Sequence, residues 1–149
     1  MKIDVLAIGK CRDQPIKELI SEYQKRMQWQ VGIKELDPGK HANTAQQEAL
    51  IQKNLHKDTQ VLIALDERGR AFSSEEFATK IGNWRDMGQS RLSFCIGGAD
   101  GFSGDFRKNA DFLLSFGKQT WPHMLVRVMI LEQLYRAQQI LAGHPYHRS

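Results

Sequence analysis

Short apolar runs alternate along the chain with stretches whose apolar residues recur at helical spacing. Residues 3–8 form a short run rich in branched side chains, the signature of a buried strand, and Gly9 ends it. Pro15 opens a helical stretch to about residue 29, with Ile16, Leu19, Ile20, Tyr23 and Met27 on one stripe. Residues 31–36 form a second strand, closed by the turn residues Asp37, Pro38 and Gly39. Asn43 or Thr44 caps a helix running to about residue 56. Residues 61–65 are a third strand, followed by the polar turn Asp66, Glu67, Arg68 and Gly69. Ser73 or Ser74 caps the next helix, with Glu76 as capping-box partner of Ser73, and Gly88 ends it after about residue 87. Residues 92–96 and 112–116 are the fourth and fifth strands, and one long helix spans about 122–141.

Strands that alternate with helices imply an α/β fold with a mostly parallel sheet of about five strands flanked by helices. In open sheets of this kind ligands bind beyond the carboxyl ends of the strands. The segments after Leu65, Ile96 and Phe116 are therefore the places to look for a site. The last helix carries two apolar stripes. Met124, Val128, Leu131 and Tyr135 lie on one side, and Val126, Ile130, Leu134, Ala137 and Leu141 on another. A surface helix needs only one such face. Either one stripe packs on a partner chain, or the helix is central within a single chain.

At 149 residues the chain is expected to be one domain, 1–149, long enough to bury its own core. Hydrophobic residues make up 41% and charged residues 26%, with no apolar run of membrane-spanning length. No export signal is recognisable, so a cytoplasmic location is expected and Cys11 and Cys95 should be free thiols. The net charge of +4 is compatible with a nucleic-acid partner without requiring one.

Three segments carry candidate chemistry. The first is Gly97-Gly98-Ala99-Asp100-Gly101-Phe102-Ser103-Gly104, directly after the fourth strand. Its four glycines let the backbone approach a ligand, but it matches neither the dinucleotide fingerprint nor a phosphate loop. A ligand loop and a plain glycine-rich turn both remain open. The second is Phe116-Gly117-Lys118-Gln119-Thr120-Trp121-Pro122-His123, which sets polar and aromatic groups before a helix N-terminus. Taken locally, an ordinary capped loop with Pro122 near the first helical turn is the better explanation. The third is the tail, in which His144, Tyr146, His147 and Arg148 crowd together. It reads as a frayed end, as a part of an active site, or least readily as a metal site, because Pro145 prevents a helical ligand pair and no Cys or acid lies near. Lys118, Arg127 and Arg136 offer a basic surface near the strand ends, but Arg127 and Arg136 fall on opposite sides of their helix, so that one is expected to salt-bridge while the other meets substrate.

Taken in order, the segments resemble the family of bacterial large-subunit ribosomal RNA methyltransferases H, minimal members of the SPOUT class. The matching pieces are Lys2-Ile3 through Gly9-Lys10, Glu22-Tyr23, Ile63-Ala64-Leu65-Asp66 and Phe94 through Gly101. Leu114-Ser115-Phe116 through Pro122-His123, Leu125-Val126-Arg127 through Arg136-Ala137, and Pro145-Tyr146-His147-Arg148 complete them. The resemblance implies a fold with a C-terminal trefoil knot, an exception to unknotted connections. It implies an S-adenosylmethionine pocket made by Leu65, by Gly97, and by Phe116, Gly117, Lys118, Gln119, Thr120 and Trp121. It implies a homodimer through the long helix, and methylation of ring nitrogen 3 of a pseudouridine in 23S ribosomal RNA, within the assembled large subunit or ribosome.

On this reading Tyr146, His147 and Arg148 are the catalytic residues. His147 or Tyr146 assists the proton leaving the acceptor nitrogen, while Arg148, Lys118 and Arg136 hold RNA phosphates. Asp66 or Glu132 is a weaker candidate for a charged cofactor group. No metal and no membrane are required. Two rivals remain: a non-catalytic RNA-binding module, and a small-molecule α/β enzyme that binds a phosphate on the glycine loop. Titration with S-adenosylmethionine separates all three.

Overall fold

The computed structural model describes residues 1–148. In chain order the elements are β1 (Lys2–Ile8), α1 (Gln14–Arg26), β2 (Gln30–Leu36), α2 (Thr44–Asn54) and β3 (Val61–Ala71). They continue as α3 (Ser74–Asp86), β4 (Arg91–Ile96), α4 (Gly104–Asn109), β5 (Phe112–Ser115) and α5 (His123–Leu141). The five strands pair in the order β2-β1-β4-β3-β5, and every pairing is parallel. All strand carboxyl ends therefore point to one edge of the sheet.

Local chemistry places the helices where the pattern does. Asn43 and Gln46 form a capping box on α2, and Ser73 and Glu76 form one on α3. Each satisfies two backbone donors that an open helix start leaves unpaired. The six-residue α4, capped by Ser103, has too few turns to show periodicity and goes undetected in the sequence.

The expected turn at residues 66–69 is the main correction. β3 does not end at Leu65. Leu65 and Arg70 both align with Leu114 of β5, so residues 66–69 leave the ladder and the strand then resumes to Ala71. Asp66 shapes the excursion: its Oδ1 accepts the Arg68 backbone N–H at 2.8 Å. Gly69 closes it, since a Cβ there would lie 2.6 Å from the Leu113 carbonyl. Only a residue without a side chain allows that approach.

Two cores sandwich the sheet. The larger, on the α1, α3 and α5 side, includes Ile3, Val5, Ile63, Phe77, Ile81, Phe94, Ile130 and Leu134. The smaller, on the α2 and α4 side, includes Leu6, Ile51, Cys95, Phe102 and Phe106. Cys11 and Cys95 are buried free thiols, and burial pushes the Cys95 thiol up to about 12. Among the described residues no helix is long and apolar enough to cross a membrane.

Helix α5 packs against both α1 and α3. Val128 and Leu131 from one stripe are buried, and so are Ile130, Leu134 and Ala137 from the other. Tyr135 packs on Tyr23 of α1, and Leu141 lies beside Gly82 of α3. The chain itself covers both stripes, so the double stripe is explained by a central helix and does not by itself demand a partner.

Arg127 is the largest fully buried side chain. Its guanidinium donates to Glu35 Oε2 at 2.7 Å and to the carbonyls of Ile8 and Gly9 at 2.9 and 2.8 Å. It is thus a brace between α5 and the ends of β1 and β2, not part of a basic surface. Burial lowers its pKa while Glu35 opposes the shift. Arg127→Ala should cost about 3–5 kcal/mol, because Glu35 and two carbonyls lose their partner together. Thermal unfolding should show a drop of roughly 10 °C or more. An unchanged midpoint would show that water replaces the brace.

Candidate functional site

Three segments at neighbouring strand ends converge on one cavity of about 320 Å³. Leu65 and residues 66–68 enter from β3, Ile96 and residues 97–101 from β4, and Phe116, Gly117, Gln119, Thr120 and Trp121 from the β5–α5 loop. His123 and Val126 close it from the first turns of α5. Every expected pocket residue lines the cavity except Lys118, which is exposed.

Each segment is held by its own local chemistry. The β5–α5 loop begins with Ser115 Oγ accepting the Gly117 N–H at 3.0 Å, and Trp121 Nε1–H donates back to the Phe116 carbonyl at 3.2 Å. The glycine loop is fixed from α2. Glu48 accepts the backbone N–H of Ser103 at 2.6 Å and its hydroxyl at 2.7 Å. Gln47 lies so close that a Cβ on Gly98 would meet its Oε1 at 2.8 Å. Sequence spacing gave no sign of these two supports, because they come from an unremarkable polar stretch far upstream, with Glu48 lying 55 residues before the Ser103 it holds.

The walls suit a molecule with both a flat apolar part and charged ends. Leu65, Ile96, Leu114, Phe116, Trp121 and Val126 are apolar, while Asp66, Glu67, Asp100 and Arg68 bring charge. A Cβ on Gly101 or Gly117 would meet nothing within 4 Å, so the backbone there is bare toward open space. Main-chain groups can then reach a ligand directly. The size lies at the low end for small-molecule sites. Burial, then the charge of Arg127, lower the His123 pKa, which keeps its imidazole neutral near pH 7. Arg68 and His123 lie in segments that the sequence marks, though neither is singled out there as a cofactor contact. These features fit S-adenosylmethionine: apolar walls for adenine, bare backbone for its ring edge, and carboxylates for the cationic end.

The described tail residues, up to Arg148, do not line this cavity in their own chain. Tyr146 packs edge-on against Tyr135 at 4.8 Å, and its hydroxyl donates to Glu132 Oε1 at 3.2 Å. Burial, then Glu132, push its pKa up to about 12. His147 Nδ1 faces Arg136 at 3.0 Å, and Nε2 faces Glu75 at 2.7 Å. A guanidinium only donates, so Nδ1 accepts and Nε2–H donates to Glu75. Arg136 is also paired with Glu132, which removes it from the free basic surface, whereas Arg148 is exposed. Among the described residues no group of three or more His, Cys, Asp or Glu is arranged to hold a metal.

A second cavity of about 550 Å³ adjoins the first across Leu114, Phe116 and Gly117. Phe72, Phe77, Val128 and Met129 make it largely apolar, with Glu132 at its edge.

Comparison with known proteins agrees with this arrangement. Residues 1–147 match the family model described as "Predicted SPOUT methyltransferase". The chain is 45% identical to the ribosomal RNA large subunit methyltransferase H of Rhodospirillum centenum, covering all of both chains. It is 45% identical to the protein of that name from Zymomonas mobilis, over 99% of each. Among solved structures, a probable methylase family protein from Haemophilus influenzae superposes with a TM-score of 0.57 at 12% identity, covering 95% of this chain and 66% of the other. A putative RNA methyltransferase from Bacillus anthracis gives 0.51 at 10% identity, covering 99% and 98%. The structural likeness supports the fold, and the sequence match, carried through all three pocket loops to the tail, goes further: the chain belongs to the SPOUT methyltransferase family.

Proposed function

We propose that the chain, acting as a single SPOUT domain in a homodimer, methylates ring nitrogen 3 of a pseudouridine in 23S ribosomal RNA. Its methyl donor is S-adenosylmethionine, and its setting is the cytoplasm, on the assembled large subunit or ribosome. The observation that carries this is the convergence of three strand-end loops on one cavity, in a chain whose full-length relatives at 45% identity bear the name ribosomal RNA large subunit methyltransferase H. The trefoil knot belongs to the same reading and rests on the SPOUT family match over residues 1–147.

When bound, the cofactor supplies a methyl group on a sulfonium, whose carbon–sulfur electron pair stays with sulfur as the methyl reaches nitrogen. The protein's part is alignment and proton handling. Leu65, Phe116 and Trp121 exclude water around the cofactor. The acceptor nitrogen must lose its proton. Tyr146, held protonated, is a donor rather than a base, which leaves His147 as the proton acceptor once it leaves Arg136 and Glu75. Arg148 and Lys118, both exposed, are the phosphate contacts, and Arg136 instead positions the tail.

A dimer is supported by two features other than the helix stripes. The tail lies outside its own chain's pocket, and the apolar second cavity lies open beside that pocket. The test is methyl transfer from labelled S-adenosylmethionine to ribosomes from cells lacking the homologous enzyme. Nucleoside analysis should find one methylated pseudouridine in 23S RNA. Cofactor binding with no transfer to any ribosomal RNA would sink the proposal and favour a non-catalytic module.

A further inference from the structure

We propose that the two loops leaving β1 and β2 form the surface that grips the phosphates of the RNA substrate, a role that rests on the RNA reading above. The last paired residues of the two strands are Ile8 and Leu36, and the Gly9 N–H donates to the Leu36 carbonyl at 2.7 Å. Residues 9–12 and 37–41 therefore leave the sheet side by side, at the edge where the cofactor cavity opens. They present Lys10, Arg12, Lys40 and His41, all exposed.

The acids among them are already committed. Glu35 is paired with Arg127 and accepts the Cys11 N–H. Asp37 turns onto the Gly39 N–H at 3.0 Å, and Asp13 caps α1 through the Ile16 N–H at 3.4 Å. Among the described residues Lys10, Arg12 and Lys40 make no ion pair, so none of the three charges is tied up by a direct contact.

The strand order sets the geometry. The cavity occupies the β4, β3 and β5 half of the sheet edge, and the basic loops occupy the β1 and β2 half. The first turn of α5 joins them: Met124 approaches Gly9, with a Cβ there 3.7 Å from its Cε, while His123 and Val126 on either side line the cavity. A nucleotide whose base meets the mouth of the cofactor cavity thus has its flanking backbone directed over three positive charges. These loops expose no large apolar side chain, so the face fits a polyanion rather than an apolar protein surface. Such contacts orient the substrate without reading its bases.

The test removes the three charges together, as Lys10→Ala, Arg12→Ala and Lys40→Ala. A charge-matched control, Lys2→Ala, Lys53→Ala and Lys57→Ala, removes three exposed lysines from the opposite end of the molecule. Both are assayed on unmethylated ribosomes across a range of salt concentrations, with calorimetric titration of S-adenosylmethionine alongside. The loop variant should bind cofactor as the native chain does. Its KM for ribosomes should rise roughly 10- to 100-fold at moderate salt, and the slope of log KM against log salt should fall by about 2, the loss of three phosphate contacts. Its kcat at saturating ribosomes should change little. Loop and control variants that behave alike would overturn the proposal. A native chain that binds cofactor but methylates no ribosomal RNA would overturn the RNA reading and this proposal with it.

Discussion

Filling the cavity at the strand ends should abolish S-adenosylmethionine binding. Two variants do this in different ways. Thr120→Trp enlarges an exposed residue of the β5–α5 loop that lines the cavity, without touching the core. Gly97→Val acts from the glycine loop. Gly97 has no left-handed backbone, so valine is tolerated there in principle. A Cβ at that position nevertheless lies 3.3 Å from the Phe102 ring, which is stacked on Phe106 in the smaller core. Gly97→Val therefore carries an overpacking cost of about 1–3 kcal/mol besides its effect on the ligand. Thr120→Trp should leave the unfolding midpoint unchanged. Both should weaken cofactor binding at least about 100-fold, equivalent to about 2.7 kcal/mol. Native-like affinity in Thr120→Trp and Gly97→Val alike would remove the cofactor from this cavity.

That cavity was legible in the sequence because it is built from local signals. Each loop directly follows an apolar run, and glycine or polar residues mark where the run stops. Parallel α/β topology then brings those ends together whatever the details of the side chains. What escaped notice is what acts at a distance. Gln47 and Glu48 support the glycine loop from another helix, and no periodicity records that contact. The helical spacing of Arg127 and Arg136 indicates that only one of them can face substrate, but not that Arg127 is fully buried, because its partners are strand-end carbonyls and a glutamate 92 residues away. The excursion at residues 66–69 was mistaken for the end of a strand for a related reason. Its polar, glycine-containing composition is that of a turn, and only the pairing of Arg70 and Ala71 with β5 shows that the strand resumes.

The two stripes of α5 show the limit of periodicity in another way. Apolar residues on two faces establish that two faces are covered, not by what. Here α1, α3 and the sheet suffice. The case for two chains passes to the tail, whose functional groups sit on Glu132, Arg136 and Glu75 rather than at the cavity.

A chain cut after Gly143 should fold and bind S-adenosylmethionine with unchanged affinity, yet lose methylation by about two orders of magnitude or more. Folding should survive because the tail's contacts are few. The loss is the Tyr146–Tyr135 edge contact, worth about 0.5–1.5 kcal/mol, the stacking of Arg136 on Tyr146, and the hydrogen bonds of Tyr146 to Glu132 and of His147 to Arg136 and Glu75, while Arg136 keeps Glu132. Cofactor binding should survive because none of the described tail residues lines the cavity. Activity should fall because substrate positioning and proton transfer vanish together. A mixed dimer then locates the tail's site of action. One subunit lacks the tail but has an intact cavity; the other carries Thr120→Trp but has an intact tail. If the tail serves the partner's cavity, the intact tail meets the intact cavity across the interface, and about one working site per dimer returns. If it serves its own chain, no site is complete and the mixed dimer stays inactive. Light scattering on the native chain checks the premise, since a stable monomer at micromolar concentration excludes action across an interface. A truncated chain with native activity would remove Tyr146, His147 and Arg148 from the reaction altogether.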